Sequence, residues 1–141
     1  MNYPLIDEQS VFDAVILCDG DFPFHRIPLS VLHRNKFLCC CDNAGISAFD
    51  HGLTPDAIVG DGDSMPAGFR KNHSDIIHII DEQDDNDQTK ATRYCIGKGF
   101  RTIAYIGATG KREDHTLGNI SLMARYMDDF GIQPVMITDN G

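Results

Sequence analysis

Short apolar segments recur at intervals along the chain, and most of them are continuous runs of aliphatic, β-branched and cysteine residues. Continuous runs, as opposed to alternating apolar and polar positions, are typical of strands that are buried on both faces of a sheet. The pattern predicts six such strands, at residues 14–18, 37–41, 57–59, 76–80, 102–106 and 135–138.

The segments between these strands carry apolar residues at helical spacing. Four helices are predicted, at residues 29–33, 44–51, 87–96 and 116–130. In the last of them, one side is formed by Leu117, Ile120, Met123, Ala124, Met127 and Phe130. Strands that alternate with helices predict an α/β fold, a Rossmann-like three-layer sandwich with a mostly parallel sheet of about six strands.

Length and charge narrow the range of function classes. The 141 residues suffice for one domain with its own core. Lys plus Arg number 12 and Asp plus Glu number 21, so the net charge is −9, which argues against binding nucleic acid or an anionic membrane. No apolar run approaches the roughly 20 residues of a membrane span, and residues 1–10 lack the features of a signal peptide. We therefore expect a cytoplasmic protein.

The five cysteines are an odd number, and three of them are consecutive, at positions 39, 40 and 41. Such a set is a poor framework for disulfides, and it shows no Cys/His spacing typical of zinc sites. We expect reduced thiols that act as small apolar side chains in the strands.

Aspartates follow four of the predicted strands. They are Asp19 and Asp21, then Asp42, then Asp61 and Asp63, then Asp81, Asp84, Asp85 and Asp87. In an open parallel sheet the carboxyl ends of the strands share one edge, and ligands bind there. The sequence therefore predicts carboxylates along a ligand-binding edge. The alternative is that each aspartate caps a helix or forms a turn.

The segment from Gly60 to Ser64 carries two aspartates two positions apart. In an extended chain Asp61 and Asp63 point the same way, roughly 6.6 Å apart, and a divalent cation between them removes their repulsion. Mg²⁺ usually binds one or two carboxylates together with phosphates and waters. Gly60 and Gly62 leave room for a phosphate near the backbone, and Ser64 is a candidate to donate a hydrogen bond to a phosphate or to cap a helix. The alternative is a glycine-rich turn with solvated acids.

The segment of residues 81–91 is strongly acidic and does not match a calcium-binding EF-hand loop. Asp87 is predicted to be the N-cap of the helix that follows. Asp84 is a candidate to share a metal or ligand with Asp87. The alternative is a solvated helix cap, because runs of like charge are usually solvated.

Residues 107–119 form a glycine-rich strand-to-helix turn that contains Lys111 and Arg112. Such turns present backbone N–H groups and a positive helix end to anions, and arginine binds phosphate through paired hydrogen bonds. Asp114 is predicted to cap the helix, and His115 binds a phosphate, shuttles a proton or has only a local partner. The segment lacks the Walker A and G-x-G-x-x-G patterns, which argues against an ordinary P-loop or dinucleotide-binding turn.

Together these segments predict a site for a Mg-nucleotide or pyrophosphate at one edge of the sheet. Phosphoryl transfer is catalysed largely by positioning and by charge neutralisation. Mg²⁺ and Arg112 would neutralise phosphate oxygens, and an aspartate would accept the proton of an attacking hydroxyl.

The ordered motifs resemble the signatures of the thiamine pyrophosphokinase family. They are Pro55-Asp56 with Gly60-Asp61-Gly62-Asp63-Ser64, then Asp84 and Asp87 with Ala91, and then Gly110-Lys111-Arg112-Glu113-Asp114-His115 with Asn119. In addition, Asp42-Asn43-Ala44-Gly45 resembles the family's first Asp-Gly-rich turn. The resemblance implies Mg-dependent transfer of pyrophosphate from ATP to the hydroxyl of thiamine, which gives thiamine diphosphate and AMP. It also implies a homodimer, and an α/β catalytic domain, here residues 1–141, followed by a β-sandwich domain that we do not expect within these residues.

The resemblance further implies roles for individual residues. The implied metal ligands are Asp61, Asp63 and Asp87, with Asp84 as a further candidate. The implied catalytic residues are Asp63, Asp87, Arg112 and Asp114. The residues implied to bind ATP or thiamine are Asp42, Ser64, Asn86, Gly110, Lys111, Arg112 and His115. The chain departs from the family pattern where Lys111 replaces glycine, Asn86 replaces threonine and Asp42-Asn43 replaces Asp-Gly.

Two other functions are compatible with the same residues. One is another Mg-dependent phosphotransferase or phosphohydrolase, which analysis of the products would identify. The other is a Mg-nucleotide-binding module without chemistry, which ATP binding without turnover would identify. The combination of Asp, Arg and His side chains exceeds what simple phosphate binding needs, and it favours an enzyme.

Overall fold

Strands and helices alternate along the chain in the computed structural model, which describes residues 10–63, 65–81, 85–109 and 113–139, with only the backbone at 113–116. The strands of these ranges are β1 (Ala14–Leu17), β2 (Leu38–Cys41), β3 (Ala57–Gly60), β4 (Ile77–Ile79), β5 (Thr102–Ile106) and β6 (Gln133–Ile137). The helices are α1 (Arg26–His33), α2 (Ala44–Asp50), α3 (Ala67–Asn72), α4 (Asp87–Gly97) and α5 (Glu113–Phe130). All six predicted strands are confirmed.

The strands form one parallel sheet in the order β4-β3-β2-β1-β5-β6. The chain builds outward from β1 to β4, and then returns to place β5 on the other side of β1. In the centre of the sheet, Ile16 pairs with Cys39 on one side and with Tyr105 on the other. The order therefore reverses between β1 and β5. In open α/β sheets, ligands bind outside the carboxyl ends of the strands at such a reversal point.

Helices cover both faces of the sheet, which confirms the three-layer α/β sandwich. One buried cluster joins the sheet to α1, α2 and α3, through residues such as Leu32, Ala48 and Phe69. The other joins it to α4 and α5, through Cys95 and Tyr126. Side chains of successive strand residues enter the two clusters alternately, and each strand is therefore apolar throughout, as the continuous runs indicated.

Helix α3 was not predicted from the sequence. None of its residues is buried, so it has no apolar stripe of the kind that reveals a helix in a sequence. Its N-cap position is Pro66, and a proline that leads into a helix is easily read as part of a loop.

The prediction for the apolar side of α5 is partly wrong. Leu117, Ile120 and Met127 were expected to face the core, but they are 60%, 48% and 54% exposed. The side that packs against the sheet includes Tyr126, which is fully buried, and Phe130. Helix α5 has apolar residues on two sides, and the side that carries the aromatic residues packs against the sheet. None of the helices in the described parts of the chain combines the length and apolar character needed to cross a membrane.

The prediction that the cysteines are buried like small apolar side chains is confirmed. All five cysteines are free and buried, although Cys95 lies on α4 and not on a strand. A hydrogen bond to Cys95 and burial both raise the pKa of the Cys39 thiol well above its ordinary value. A hydrogen bond to Cys18 and burial do the same for the pKa of the Cys41 thiol. These thiols are therefore protonated near neutral pH and act as small apolar side chains.

The cysteines are expected to be unreactive in the native protein, because only the thiolate is an effective nucleophile and all five thiols are buried. Titration with a chromogenic disulfide reagent at pH 7 should give almost no signal within minutes. The same titration in guanidinium should release five equivalents of thiol per chain. Rapid native reaction of two or more thiols would contradict this prediction.

Candidate functional site

The loops that follow β1 and β5 are joined by backbone hydrogen bonds. The N–H of Gly20 donates to the carbonyl of Gly107 at 2.7 Å, and the N–H of Asp21 donates to the carbonyl of Thr109 at 2.9 Å. A Cβ atom at Gly20 would lie 2.3 Å from both of these carbonyl oxygens. Gly107 has a φ of +73°, a left-handed conformation that favours glycine. The two glycines thus allow the loops at the reversal point to touch, and they fix the start of the glycine-rich turn.

Asp42 follows β2 at the same edge of the sheet. Of the described residues other than glycine, it alone has a positive φ, of +49°, and it is 7% exposed. Its N–H donates to the carbonyl of Val59 at 2.9 Å. A Cβ atom at Gly60 would lie 3.1 Å from the Cβ of Asp42, so glycine at this position lets the two strand ends approach. Aspartate tolerates the left-handed conformation better than most residues, and here it places a carboxylate at the carboxyl ends of β2 and β3.

The expectation that Asp61 and Asp63 extend from a straight strand is wrong. β3 ends at Gly60, and Gly62 has a φ of +80°, which turns the chain. The carboxylate of Asp61 accepts a hydrogen bond from the N–H of Asp63 at 3.0 Å. Asp61 is half-buried, whereas Asp63 is exposed. The segment is therefore a glycine turn closed by an aspartate, and the spacing of the two carboxylates is not set by a strand.

The N-cap of α4 is Asn86 and not Asp87. The side-chain oxygen of Asn86 accepts a hydrogen bond from the N–H of Thr89 at 2.9 Å. Asn and Asp cap helices equally well, so the sequence pattern did not decide between these two neighbours. Asp87 is instead the first residue of the helix, where the positive end of the helix dipole favours a carboxylate.

Lys90 is a charged residue of this region that the sequence analysis missed. Its side chain is 5% exposed, and its ammonium lies 4.0 Å from a carboxylate oxygen of Asp87. Lysine is almost never fully buried unless it is paired. The three-residue spacing of Asp87 and Lys90 in the first turn of a helix was the available signal. The first turn of the helix thus holds a buried cation beside the Asp87 carboxylate.

Asp85 has a different role from the other acids of its segment. Its carboxylate lies 2.8 Å from Nε of Arg93 and 3.9 Å from a guanidinium nitrogen of Arg125. Both guanidinium groups lie over the ring of Phe130. Asp85 therefore ties α4 to α5 through arginines, and only part of the acidic segment is available to a ligand.

Several predicted site residues lie outside the described residues. They are Ser64, Asp84, Gly110, Lys111 and Arg112. Asp114 and His115 lie in the first turn of α5, which begins at Glu113. The helix start precedes Asp114, so the prediction that this residue is the N-cap is wrong. The ligand-binding roles of these seven residues stay predictions.

The carboxylates at this edge suit a magnesium ion in their chemistry. Asp61, Asp63 and Asp87 offer the hard oxygen ligands that Mg²⁺ prefers, in turns at the carboxyl ends of β3 and β4. Among the described side chains, no group of three or more His, Cys, Asp or Glu is already close enough to hold a metal ion. Mg²⁺ commonly binds through one or two carboxylates and completes its shell with phosphates and waters. The residues present therefore fit a Mg²⁺ ion that arrives with a nucleotide.

Proteins of known name are similar to this chain. Thiamine pyrophosphokinase 1 of Oryza sativa subsp. japonica is 26% identical over 164 residues, which covers 97% of this chain and 60% of that protein. Thiamin pyrophosphokinase 1 of Caenorhabditis elegans is 28% identical over 92 residues, which covers 61% of this chain and 37% of that protein. The chain thus spans 60% or less of the length of these two relatives.

Solved structures share the fold. A probable thiamine pyrophosphokinase from Staphylococcus saprophyticus subsp. saprophyticus superposes with a TM-score of 0.70 at 27% identity, over 89% of this chain and 65% of that one. Yeast thiamin pyrophosphokinase superposes with a TM-score of 0.73 at 14% identity, over 94% of this chain and 61% of that one. The family model for the catalytic domain of thiamin pyrophosphokinase matches residues 29–135. Because this match spans most of the chain, from α1 to β6, the chain belongs to the thiamine pyrophosphokinase family.

Proposed function

We propose that the protein transfers pyrophosphate from ATP to the hydroxyl of thiamine, in a Mg²⁺-dependent reaction that gives thiamine diphosphate and AMP. The observation that carries this proposal is the match of residues 29–135 to the catalytic domain of the family. The matched residues include the turns at the carboxyl ends of β2, β3 and β4, where the aspartates lie. A homodimer and a cytoplasmic location belong to the same proposal.

The proposed Mg²⁺ ligands are Asp61, Asp63 and Asp87, with Asp84 as a further candidate. When bound, the metal would neutralise charge on the phosphate oxygens of ATP. Asp63, Asp87 and Asp114 are the candidates to accept the proton of the thiamine hydroxyl.

Cations supply the rest of the proposed charge balance. Arg112 would bind phosphate oxygens through its guanidinium, and Gly110 and Lys111 would present N–H groups and an ammonium in the same turn. Lys90 adds a buried positive charge in the first turn of α4, beside Asp87. Charge on the transferred phosphates would thus be balanced from two elements of the fold.

The remaining proposed contacts concern the nucleoside and thiamine. Asp42, Ser64 and His115 are proposed to lie around these groups. Next to Asp42, the side-chain oxygen of Asn43 is buried, and no hydrogen-bond partner for it lies among the described residues. A buried acceptor of this kind costs free energy until a donor reaches it, and a hydroxyl or amino group of a bound substrate would supply that donor. Asn86, also predicted to bind a ligand, uses its side chain in contacts within the protein.

The test is an incubation of the protein with MgCl₂, ATP and thiamine, followed by chromatography of the nucleotides and thiamine esters. We expect AMP and thiamine diphosphate in equal amounts, and neither product when EDTA replaces Mg²⁺. Thiamine whose hydroxyl is replaced by hydrogen is the matched control, and it should yield no AMP.

Other products would overturn the proposal. ADP with thiamine monophosphate, or phosphate released without an acceptor, would identify a different phosphotransferase or phosphohydrolase. Tight binding of ATP in a calorimeter without turnover would identify a binding module.

A further inference from the structure

We propose that Asn119 is a positioning residue that locks the turn after β5 to the amino end of α4, so that two ligand-binding segments of the site move as one unit. This inference rests on the proposed function for its catalytic consequence. Its structural basis is a set of hydrogen bonds between residues far apart in the chain.

Both the nitrogen and the oxygen of the Asn119 side-chain amide, on α5, form hydrogen bonds. Its Nδ2 donates to the carbonyl of Ala108 at 3.0 Å, in the turn that follows β5. Its Oδ1 accepts a hydrogen bond from Nδ2 of Asn86 at 3.1 Å. One side chain therefore joins the glycine-rich turn to the N-cap of α4.

The connection continues into α4. Asn86 uses its other side-chain atom, Oδ1, to cap the helix by accepting from the N–H of Thr89. Gln88, which is 3% exposed, donates from Nε2 to the backbone carbonyl of Asn119 at 3.3 Å and to the hydroxyl of Tyr126 at 3.2 Å. The first turn of α4 is thus bonded to α5 at both the side chain and the backbone of Asn119. The bond between Asn86 and Asn119 is exposed, whereas the bond between Gln88 and Tyr126 is buried, and a satisfied buried polar contact of this kind makes the junction of the two helices rigid.

The hydrogen bond from Asn119 to the carbonyl of Ala108 fixes the orientation of the peptide group between Ala108 and Thr109. In a trans peptide the carbonyl and the following N–H point in opposite directions. With the carbonyl of Ala108 held by Asn119, the N–H of Thr109 points away from α5. Thr109 is also fixed from the other side, because its own carbonyl accepts from the N–H of Asp21. The first amide of the proposed phosphate-binding turn therefore has its orientation determined by Asn119 on one side and by the β1 loop on the other.

Asn119 also fixes the start of α4, where Asp87 lies, through its hydrogen bond with Asn86. Asp87 directly follows Asn86, and its placement depends on where the N-cap sits. Loss of the Asn119 amide would release the turn that binds phosphate and the cap that places Asp87 at the same time. The expected defect is in the binding of Mg-ATP, while the binding of thiamine depends less on this connection.

The test compares three variants with the wild type. Asn119→Asp has the same shape but no amide to donate to Ala108, and it turns a carboxylate oxygen toward that carbonyl. Asn86→Ser keeps a good N-cap but loses the bond to Asn119. Ser121→Ala is the matched control, because Ser121 is exposed on the same helix and its hydroxyl donates only to the carbonyl of Leu117 among the described contacts.

The expected kinetic result is a rise of about 10- to 100-fold in the KM for ATP in Asn119→Asp, the scale typical of groups that orient a ligand-binding residue. Asn86→Ser should show a smaller rise, and Ser121→Ala should match the wild type. The KM for thiamine should change less than threefold in Asn119→Asp. An unchanged KM for ATP in Asn119→Asp would overturn the inference, and so would equal rises in both substrates' KM values, which indicate a general loss of structure.

Amide hydrogen exchange tests the connection without any reference to activity. The N–H groups of Gly20 and Asp21 donate to the turn after β5, so their exchange should be at least about 10-fold faster in Asn119→Asp. Exchange in the strand β2 should stay at the wild-type rate. If wild-type protein makes no AMP, the proposed function fails, whereas unchanged exchange at Gly20 and Asp21 overturns the positioning role. Should Asn119→Asp fail to fold, Asn86→Ser tests the α4 half of the connection, because it removes the bond from Asn86 to Asn119 and keeps the helix cap; an unchanged KM for ATP in this variant would then overturn the inference.

Discussion

Replacement of Asp87 by asparagine is expected to lower kcat/KM for AMP formation by at least about 100-fold, because an amide lacks the charge that a divalent cation and its phosphates require. Asp87 begins α4 at the proposed ligand-binding edge, and its carboxylate lies 4.0 Å from the ammonium of the buried Lys90. The substitution therefore removes a proposed metal ligand and also unbalances a buried charge. Rates of AMP formation measured across a series of Mg²⁺ concentrations should show a raised requirement for Mg²⁺ as well as a lower maximum.

Asp85→Asn is the matched control for this variant. Asp85 belongs to the same acidic segment, but its carboxylate faces Arg93 and Arg125. We expect a loss of less than about 1 kcal/mol in the free energy of unfolding, as for other partly exposed ion pairs, and a rate close to that of the wild type. A wild-type rate in Asp87→Asn would contradict the metal-binding role. An equal loss of rate in both variants would assign the effect to the fold of the segment.

Gly20→Ala is expected to lower the free energy of unfolding by about 2–3 kcal/mol, the cost of forcing an extra methyl into a close-packed place. Its Cβ would lie 2.3 Å from the carbonyl oxygens of Gly107 and Thr109. Both atoms belong to the backbone, and both accept hydrogen bonds from the β1 loop, so neither can move without breaking these bonds. Because the displaced turn is the proposed phosphate-binding turn, affinity for ATP should fall as well. Urea denaturation measures the first effect and calorimetry the second.

The same substitution at Gly118 is the control. This glycine lies within α5, and a Cβ there meets no atom within 4 Å. Gly118→Ala should therefore stabilise the protein, by up to about 1 kcal/mol, since alanine favours a helix interior over glycine. If Gly20→Ala proved as stable as the wild type, the close contact between the two loops would not exist in solution.

The sheet was predictable from the sequence because its physical cause is local. Each strand is buried on both faces, so each appears as an unbroken apolar run. The alternation with helices then leaves few topologies open, and a parallel sheet with helices on both faces follows. Helix α3 was not predicted from the sequence because none of its residues is buried.

The details of the site depended on contacts that sequence spacing does not encode. The spacing of Asp61 and Asp63 suggested a shared direction, but Gly62 takes a left-handed conformation and turns the chain between them. The choice of Asn86 over Asp87 as N-cap rests on its partner Asn119, which is distant in the chain. Such contacts arise only when the folded elements come together, so the residue types were predictable and their arrangement was not.

The position of β1 in the middle of the sheet bears on how the chain folds during synthesis. β1 leaves the ribosome before both of the strands that flank it, and one of them, β2, follows soon after. The other neighbour is β5, where Ala14 meets Ile103, so one edge of β1 stays open until residues 102–106 have been made. Contacts between such distant residues slow folding, and open strand edges invite aggregation. During synthesis the partly formed sheet therefore exposes an unpaired strand edge, a feature that makes nascent chains prone to aggregation.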